Sequence, residues 1–267
     1  HFVFHSKSTD HFPPYWSATM ANPSRRQFSQ QMVGSLLTFS LLETLCAQDL
    51  FSAEVKPIVT KWLKDLDAMG KQLRGSKLSQ LQWQKQVETL FNQIELEQLL
   101  TFIDFKKRTT NFQFRDKGER AMQFKFPEVE GLPTQLVFGH QMFGMRKNQS
   151  VVPHGHNNMA TAFLVLKGDF HGRHYDRLED AKDHFIIKPT IDGQFKTGSY
   201  STVSDEKDNI HWFKATSDEG YIFNIHVLNI KPGVTGRVYL DPNGEKLAGG
   251  KIRARKIKAS EAYKLYG

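Results

Sequence analysis

At 267 residues, with 39% hydrophobic and 24% charged side chains, the chain has the composition of a soluble globular protein of one domain plus an accessory segment. Its formal net charge is +8, but six basic residues against Glu261 between Gly249 and Gly267 carry +5 of it. In KIRARKIK these fall largely on alternate positions, the pattern of a terminal strand with one solvated face, so nucleic acid is not an expected partner. Cys46 is the only cysteine, which excludes an intramolecular disulfide and a thiolate zinc cluster and leaves any metal to histidine and oxygen ligands.

Residues 1–19 precede Met20 with neither charge pattern nor apolar period and read as upstream sequence. After Met20, Arg25 and Arg26 stand in SRRQF, ahead of the apolar stretch Met32 to Ala47. This resembles a twin-arginine export signal, which implies a periplasmic or secreted protein that crosses folded with its metal in place. The alternative is an amphipathic first helix with a basic start, in a cytoplasmic protein. The stretch is short for a bilayer and contains Glu43, so no stable membrane span is expected.

Apolar residues at three- and four-residue steps predict a helix from Ala53 to about Leu73, ended near Gly75. A second helix follows from Ser76 as its cap, and a third, shorter one over Glu95 to Phe105. Trp62 and Trp83 are expected as packing anchors. This helical segment, 48–109, is free to cap the domain that follows or to pair two chains as a homodimer.

From about Thr110 the period changes to two, in short runs such as TQLVFGHQMF, TAFLVLKGDF and YIFNIHVLNI, broken by Gly, Pro, Asn and Asp. Many short strands without helices between them predict a mainly β domain over 110–267, a sandwich or closed barrel.

Eleven histidines is a high count for this length, and two of them, His154 and His156, stand two apart in VVPHGHNN. On an extended backbone both rings leave the same face. His211 begins a later run, and three imidazoles on adjacent strands suit Fe, Zn, Ni or Mn with coordination positions left open. His171 and His174 have an odd separation and must face opposite ways, while His140 is placed to face inward beside Met142.

Four residues separate His156 from Thr161 and six more lead to Gly168. This resembles the first motif of the cupins, H-x-H followed by Glu and Gly, with Thr161 where the glutamate stands and His211 in place of the second motif's histidine. Among cupins the chain resembles the three-histidine, cysteine dioxygenase-like thiol dioxygenases, whose motif H-x-H-x-N-x-x-C-x6-G is matched at His154, His156, Asn158, Thr161 and Gly168. Fifteen residues beyond His211, where that family carries Ser-x-His-x-Tyr, this chain has Asn224-Ile-His226-Val-Leu228.

The resemblance covers roughly residues 50 to 235. It implies a cupin β-barrel, or jelly roll, with an N-terminal helical segment. It further implies Fe(II) on His154, His156 and His211, with His226, Asn158 and Thr161 as the catalytic surroundings, and O2 and a small thiol as substrates. Thr161 departs from the family cysteine and Leu228 from the family tyrosine, a phenol that Tyr175 or Tyr221 would have to replace. Arg108, Arg115 and Arg120 are the candidates for holding a substrate carboxylate. The rival function is a cupin that binds metal and ligand without turnover.

Overall fold

In a computed structural model, the structure describes residues 55–267 apart from 129 and 132–134, with side chains from residue 58 onward. The export signal and Cys46 lie outside the described residues. The described residues belong to one compact unit. Among the described residues no helix is long and apolar enough to cross a membrane.

The first helix, α1 (Val55–Arg74), buries Val59, Trp62, Leu63, Leu66 and Leu73 along one stripe. It ends through Gly75 and Ser76, the latter left-handed at φ 56°, with Lys77 N–H donating to the Gln72 carbonyl at 2.9 Å. Ser76 therefore terminates one helix, and the cap of the next is Ser79. Its hydroxyl accepts from Gln82 N while the Gln82 side chain accepts from Ser79 N, a reciprocal capping box opening α2 (Gln80–Phe91).

The expected third helix is two, α3 (Leu96–Phe102) and α4 (Phe105–Thr109), because Asp104 between them takes φ 52° and breaks the ladder. Trp62 and Trp83 are buried as anchors, and Trp62 Nε1 donates to the Leu90 carbonyl at 3.2 Å.

Eleven strands follow among the described residues. They are β1 (Arg120–Met122), β2 (Gly139–Arg146), β3 (Ser150–Asn157), β4 (Met159–Lys167), β5 (Phe170–Asp180) and β6 (His184–Phe195), then β7 (Tyr200–Val203), β8 (Ile210–Ala215), β9 (Glu219–Leu228), β10 (Gly236–Lys246) and β11 (Ile252–Ile257). One sheet runs β1-β2-β9-β4-β7, and β3-β8-β5-β6 pair in the other, all antiparallel. From β2 to β9 consecutive strands alternate between the two facing sheets except for the β5–β6 hairpin, which is the eight-stranded jelly roll, the architecture of cupins. The stretch 110–115, where the two-residue period begins, forms no strand, and KIRARKIK is indeed β11, followed by α5 (Ala259–Tyr266), a helix its sequence pattern did not suggest.

The helices cover the outer face of the first sheet. Trp62, Trp83, Leu99 and Phe102 share a core with Met142, Ala160, Leu164, Phe223 and Ile225. Inside the jelly roll Phe143, Val151, Phe163, Phe170 and Phe213 form a second core. Each such side chain, fully buried, contributes about 1.5–3 kcal/mol through apolar area removed from water. Strands β10 and β11 bridge β3 to β6, closing a six-stranded ring β10-β11-β6-β5-β8-β3 that encloses a third, smaller cluster around Tyr175, Ile187, Ile210 and Leu240. The middle strands β3, β8 and β5 are thus covered on both faces, which is why β3 reads almost wholly apolar or histidine.

Candidate metal centre

Strand pairing brings the three histidines together. His154 and His156 share the inner face of β3, and antiparallel register sets His211 of β8 directly opposite His154. Ring centroids lie 4.2 Å (His154 to His211), 4.7 Å (His156 to His211) and 5.0 Å (His154 to His156) apart. One nitrogen from each ring falls within 4.8 Å of the others, and His154 Nε2 is 3.1 Å from His156 Nε2. Two imidazoles bound at about 2.1 Å to one ion at tetrahedral or octahedral angles place their nitrogens about 3.0–3.4 Å apart, so this pair fits a shared metal.

The surroundings orient the rings for that task. His154 Nδ1 donates to the Val152 carbonyl at 2.8 Å, which leaves Nε2 as a lone pair aimed at the cluster. His156 Nδ1 meets Thr161 Oγ1 at 3.2 Å; with Thr161 accepting, Nε2 of His156 is likewise a lone pair. Both nitrogens of His211 are buried without a hydrogen-bond partner, an omission that costs about 1–3 kcal/mol per group in a dry site and that a metal bond to one nitrogen would relieve.

No carboxylate joins the cluster among the described residues. Burial, and after it the Arg237 guanidinium, pushes the His154 imidazole down to about 3. His156 and His211 are held well below the ordinary histidine range by burial first and neighbouring imidazoles second. All three are therefore neutral at physiological pH, the form in which imidazole binds a metal.

Beyond the histidines opens a cavity of about 250 Å³ whose walls include Gln123, Gln141, Thr161, Asn224, His226 and Arg237. Asn224, His226 and Leu228 all face it, as the alternation of β9 requires. Gln141 Nε2 donates to Asn224 Oδ1 at 3.1 Å, and the same oxygen faces His226 Nδ1 at 3.4 Å. Burial above all pushes His226 down to about 4, so its ring is neutral and, with Nδ1 donating to Asn224, presents Nε2 as an acceptor.

Gly139 makes room for that ring. A Cβ there would stand 2.2 Å from His226 Nε2. The Gly139→Ala variant is expected to displace the His226 ring while the three clustered histidines stay, seen as a shift of the His226 Cε1 proton resonance alone. An unchanged His226 resonance would show that the ring does not need the glycine.

Asn158 lies apart from this cavity. At φ 58° it turns the chain between β3 and β4, its Nδ2 donating to the Lys231 carbonyl at 2.7 Å and its Oδ1 accepting from Lys231 N at 2.8 Å. It ties the loop after β9 to the end of the histidine strand. Asn209 carries a role that the sequence reading missed: buried two residues before His211, it donates from Nδ2 to the His156 carbonyl at 2.8 Å and accepts from His156 N at 3.3 Å. The only local signal was a short polar residue at a strand entry.

The expected arginines are elsewhere. Arg108 lies over Phe124 and Arg115 over Tyr263, while Arg120 is exposed on β1, paired with Gly144. The guanidinium at the cavity mouth is Arg237, opposite His156 in the β10–β3 register, which makes no hydrogen bond or salt bridge with a described residue.

His140 faces the helix side: its Nε2 meets the Phe124 carbonyl at 2.8 Å and its ring stacks on Phe126. Its neighbour Gln141 takes the cavity face, so the alternation of β2 runs opposite to the expected one. His171 pairs with Asp192 outside, and His174 is buried inside against Phe195 and Phe213. Tyr221 packs with Phe105 and Phe112 on the helix side, and Tyr175 belongs to the six-stranded ring, so no tyrosine lines the metal-side cavity among the described residues.

No protein-family model and no curated protein sequence matches the chain. Solved structures do. Procruciferin, an 11S globulin from Brassica napus, aligns at 17% identity and TM-score 0.30 over 38% of this chain and 22% of its own. The 11S globulin from Wrightia tinctoria, described with an auxin binding site, aligns at 12% and 0.33 over 47% of this chain and 28% of its own. A double-stranded β-helix protein from Klebsiella pneumoniae aligns at 12% and 0.28 over 38% of this chain and 71% of its own. The chain thus spans less than a third of the globulins it matches. The jelly roll itself follows from strand pairing, and the chain is a mainly β protein with a buried three-histidine cluster able to hold a metal.

Proposed function

We propose that the chain is a metal-dependent cupin that holds Fe(II) on His154, His156 and His211 and oxidises a small thiol with O2. The observation that supports this most is the donor set: three neutral, buried nitrogens with no carboxylate, beneath a small cavity with a cation at its mouth. When bound, iron there would keep its full +2 charge and supply oxygen-activating chemistry at open coordination positions.

The chain's own residues divide the remaining work. Arg237 attracts an anionic substrate and neutralises its distal charge. The Gln141–Asn224–His226 chain holds Nε2 as an acceptor over the cavity. Because that imidazole is pushed down to about 4, it cannot keep a proton taken from a thiol of ordinary acidity near 8.5. His226 therefore orients the substrate, and thiolate formation relies on the positive field. Thr161 and Asn209 hold His156 in place. The balanced reaction converts R–S⁻ and O2 to R–SO2⁻, sulfur being oxidised and both oxygen atoms coming from dioxygen. The twin-arginine-like string supports export of the loaded protein to the periplasm or beyond.

Leu228, where the resemblance expects a tyrosine, favours a second reading, a cupin that binds metal (Fe, Zn, Ni or Mn) and ligand without turnover. Oxygen uptake by anaerobically iron-loaded protein supplied with cysteine or 3-mercaptopropionate separates the two. The enzyme reading expects uptake with sulfinate formed one-to-one, and an Arg237→Gln variant with KM raised about tenfold or more, the loss of one charge-assisted contact. Stoichiometric iron with no uptake from any thiol leaves only the binding reading.

A further inference from the structure

A second cavity, of about 350 Å³, lies away from the histidine cluster at the six-stranded ring. Its walls come from β5, β6, β10 and β11, and one of them is Tyr175, only 6% exposed, whose hydroxyl has no hydrogen-bond partner among the described residues. Beside it Arg173 lies over the Trp212 ring at 4.7 Å. The Nε1 of Trp212 is itself buried and unpartnered.

The charge of this cavity leans positive. Asp192 is already engaged by Arg173 and by His171, whereas Lys246 has no ion-pair partner among the described residues. Asn243 adds a polar group from the irregular stretch of β10 between Asp241 and Glu245, held by the Tyr266 hydroxyl at 3.1 Å, while Pro189, Pro242 and Ile252 supply apolar wall. A largely buried phenol and two cations around a partly apolar hollow match the general make-up of small-ligand sites.

We propose that this cavity binds a small monocarboxylate with an apolar body, its oxygens on Lys246, Arg173 and the Tyr175 hydroxyl. The site needs neither the metal nor the thiol reaction. It touches the metal centre's strand only through Arg173, which lies over Trp212, and Trp212 and His211 are consecutive residues on opposite faces of β8.

Titration of benzoate into the full-length protein, followed by amide and indole NMR, tests the proposal. Saturable shifts are expected at the Trp212 indole and at the amides of Tyr175, Asn243 and Lys246. Both Lys246→Gln and Tyr175→Phe should weaken binding about fivefold, the scale of one hydrogen bond or charge contact. Lys246 is exposed and Tyr175→Phe keeps the ring, so both variants should fold. Equal shifts with benzyl alcohol, equal binding of inorganic phosphate, or shifts confined to His154, His156 and His226 would each overturn it.

Discussion

A His211→Gln variant is expected to lose divalent metal altogether at concentrations that saturate the native protein. Removing a partner that merely orients a ligand costs about 10–100-fold in metal affinity, and removing one of three ligands should exceed that. No fourth group among the described residues joins the cluster to compensate. Metal at 100 times its dissociation constant should stabilise the native protein by about 2.7 kcal/mol, which for a domain of this size raises Tm by roughly 5–10 °C.

The variant should show no rise. Because each protein is compared with and without metal, any cost of burying the glutamine cancels. Elemental analysis supplies the second readout. Equal metal content and an equal rise in Tm for native and variant protein would show that His211 is not a ligand and would remove the centre on which the proposed function rests.

Acid should unfold the metal-free protein well above the range in which carboxylates titrate. The direction follows from linkage: burial holds His154 and His174 at about 3 and His226 at about 4 in the folded state, whereas the unfolded chain takes up a proton at each near 6.5. The unfolded state thus binds more protons from about pH 6.5 down to 3–4, and stability falls through that window as pH falls. Above pH 6.5 both states are neutral at these groups and the contribution is flat.

At pH 5 each of the three costs about 2 kcal/mol, roughly 6 kcal/mol together against a typical total of 5–15. Guanidinium unfolding of the metal-free protein at pH 7 and pH 5 measures this directly. His174, packed against Phe195 and Phe213 with Nδ1 unpartnered, should yield its share when replaced by phenylalanine of similar shape. Equal stability at the two pH values would mean that the imidazoles are not desolvated as the fold places them.

Local sequence determined what depends on local physics. The three-to-four-residue period marked α1 and α2, whose stripes pack on one sheet, and the period of two marked the strands. The two-residue spacing of His154 and His156 put both rings on one face, whereas His226 was pointed out only by the family resemblance, and the structure sets it in the cavity wall. Boundaries failed where one backbone angle decides them, as at Ser76 and Asp104, both with positive φ.

Tertiary structure alone decided which cation, which amide and which face matter. Arg237 reaches the cavity only because β10 pairs with β3, a contact across about 80 residues that leaves no periodic trace, while nearer arginines are taken up by aromatic rings and backbone. Asn209 became a clamp on His156 because β8 lies beside β3. Whether His140 faced the cavity or the helices turned on the register of β2 against β9, and a one-residue change of register exchanges the faces of a strand, so alternation shows that two faces exist while packing selects the one that sees the metal.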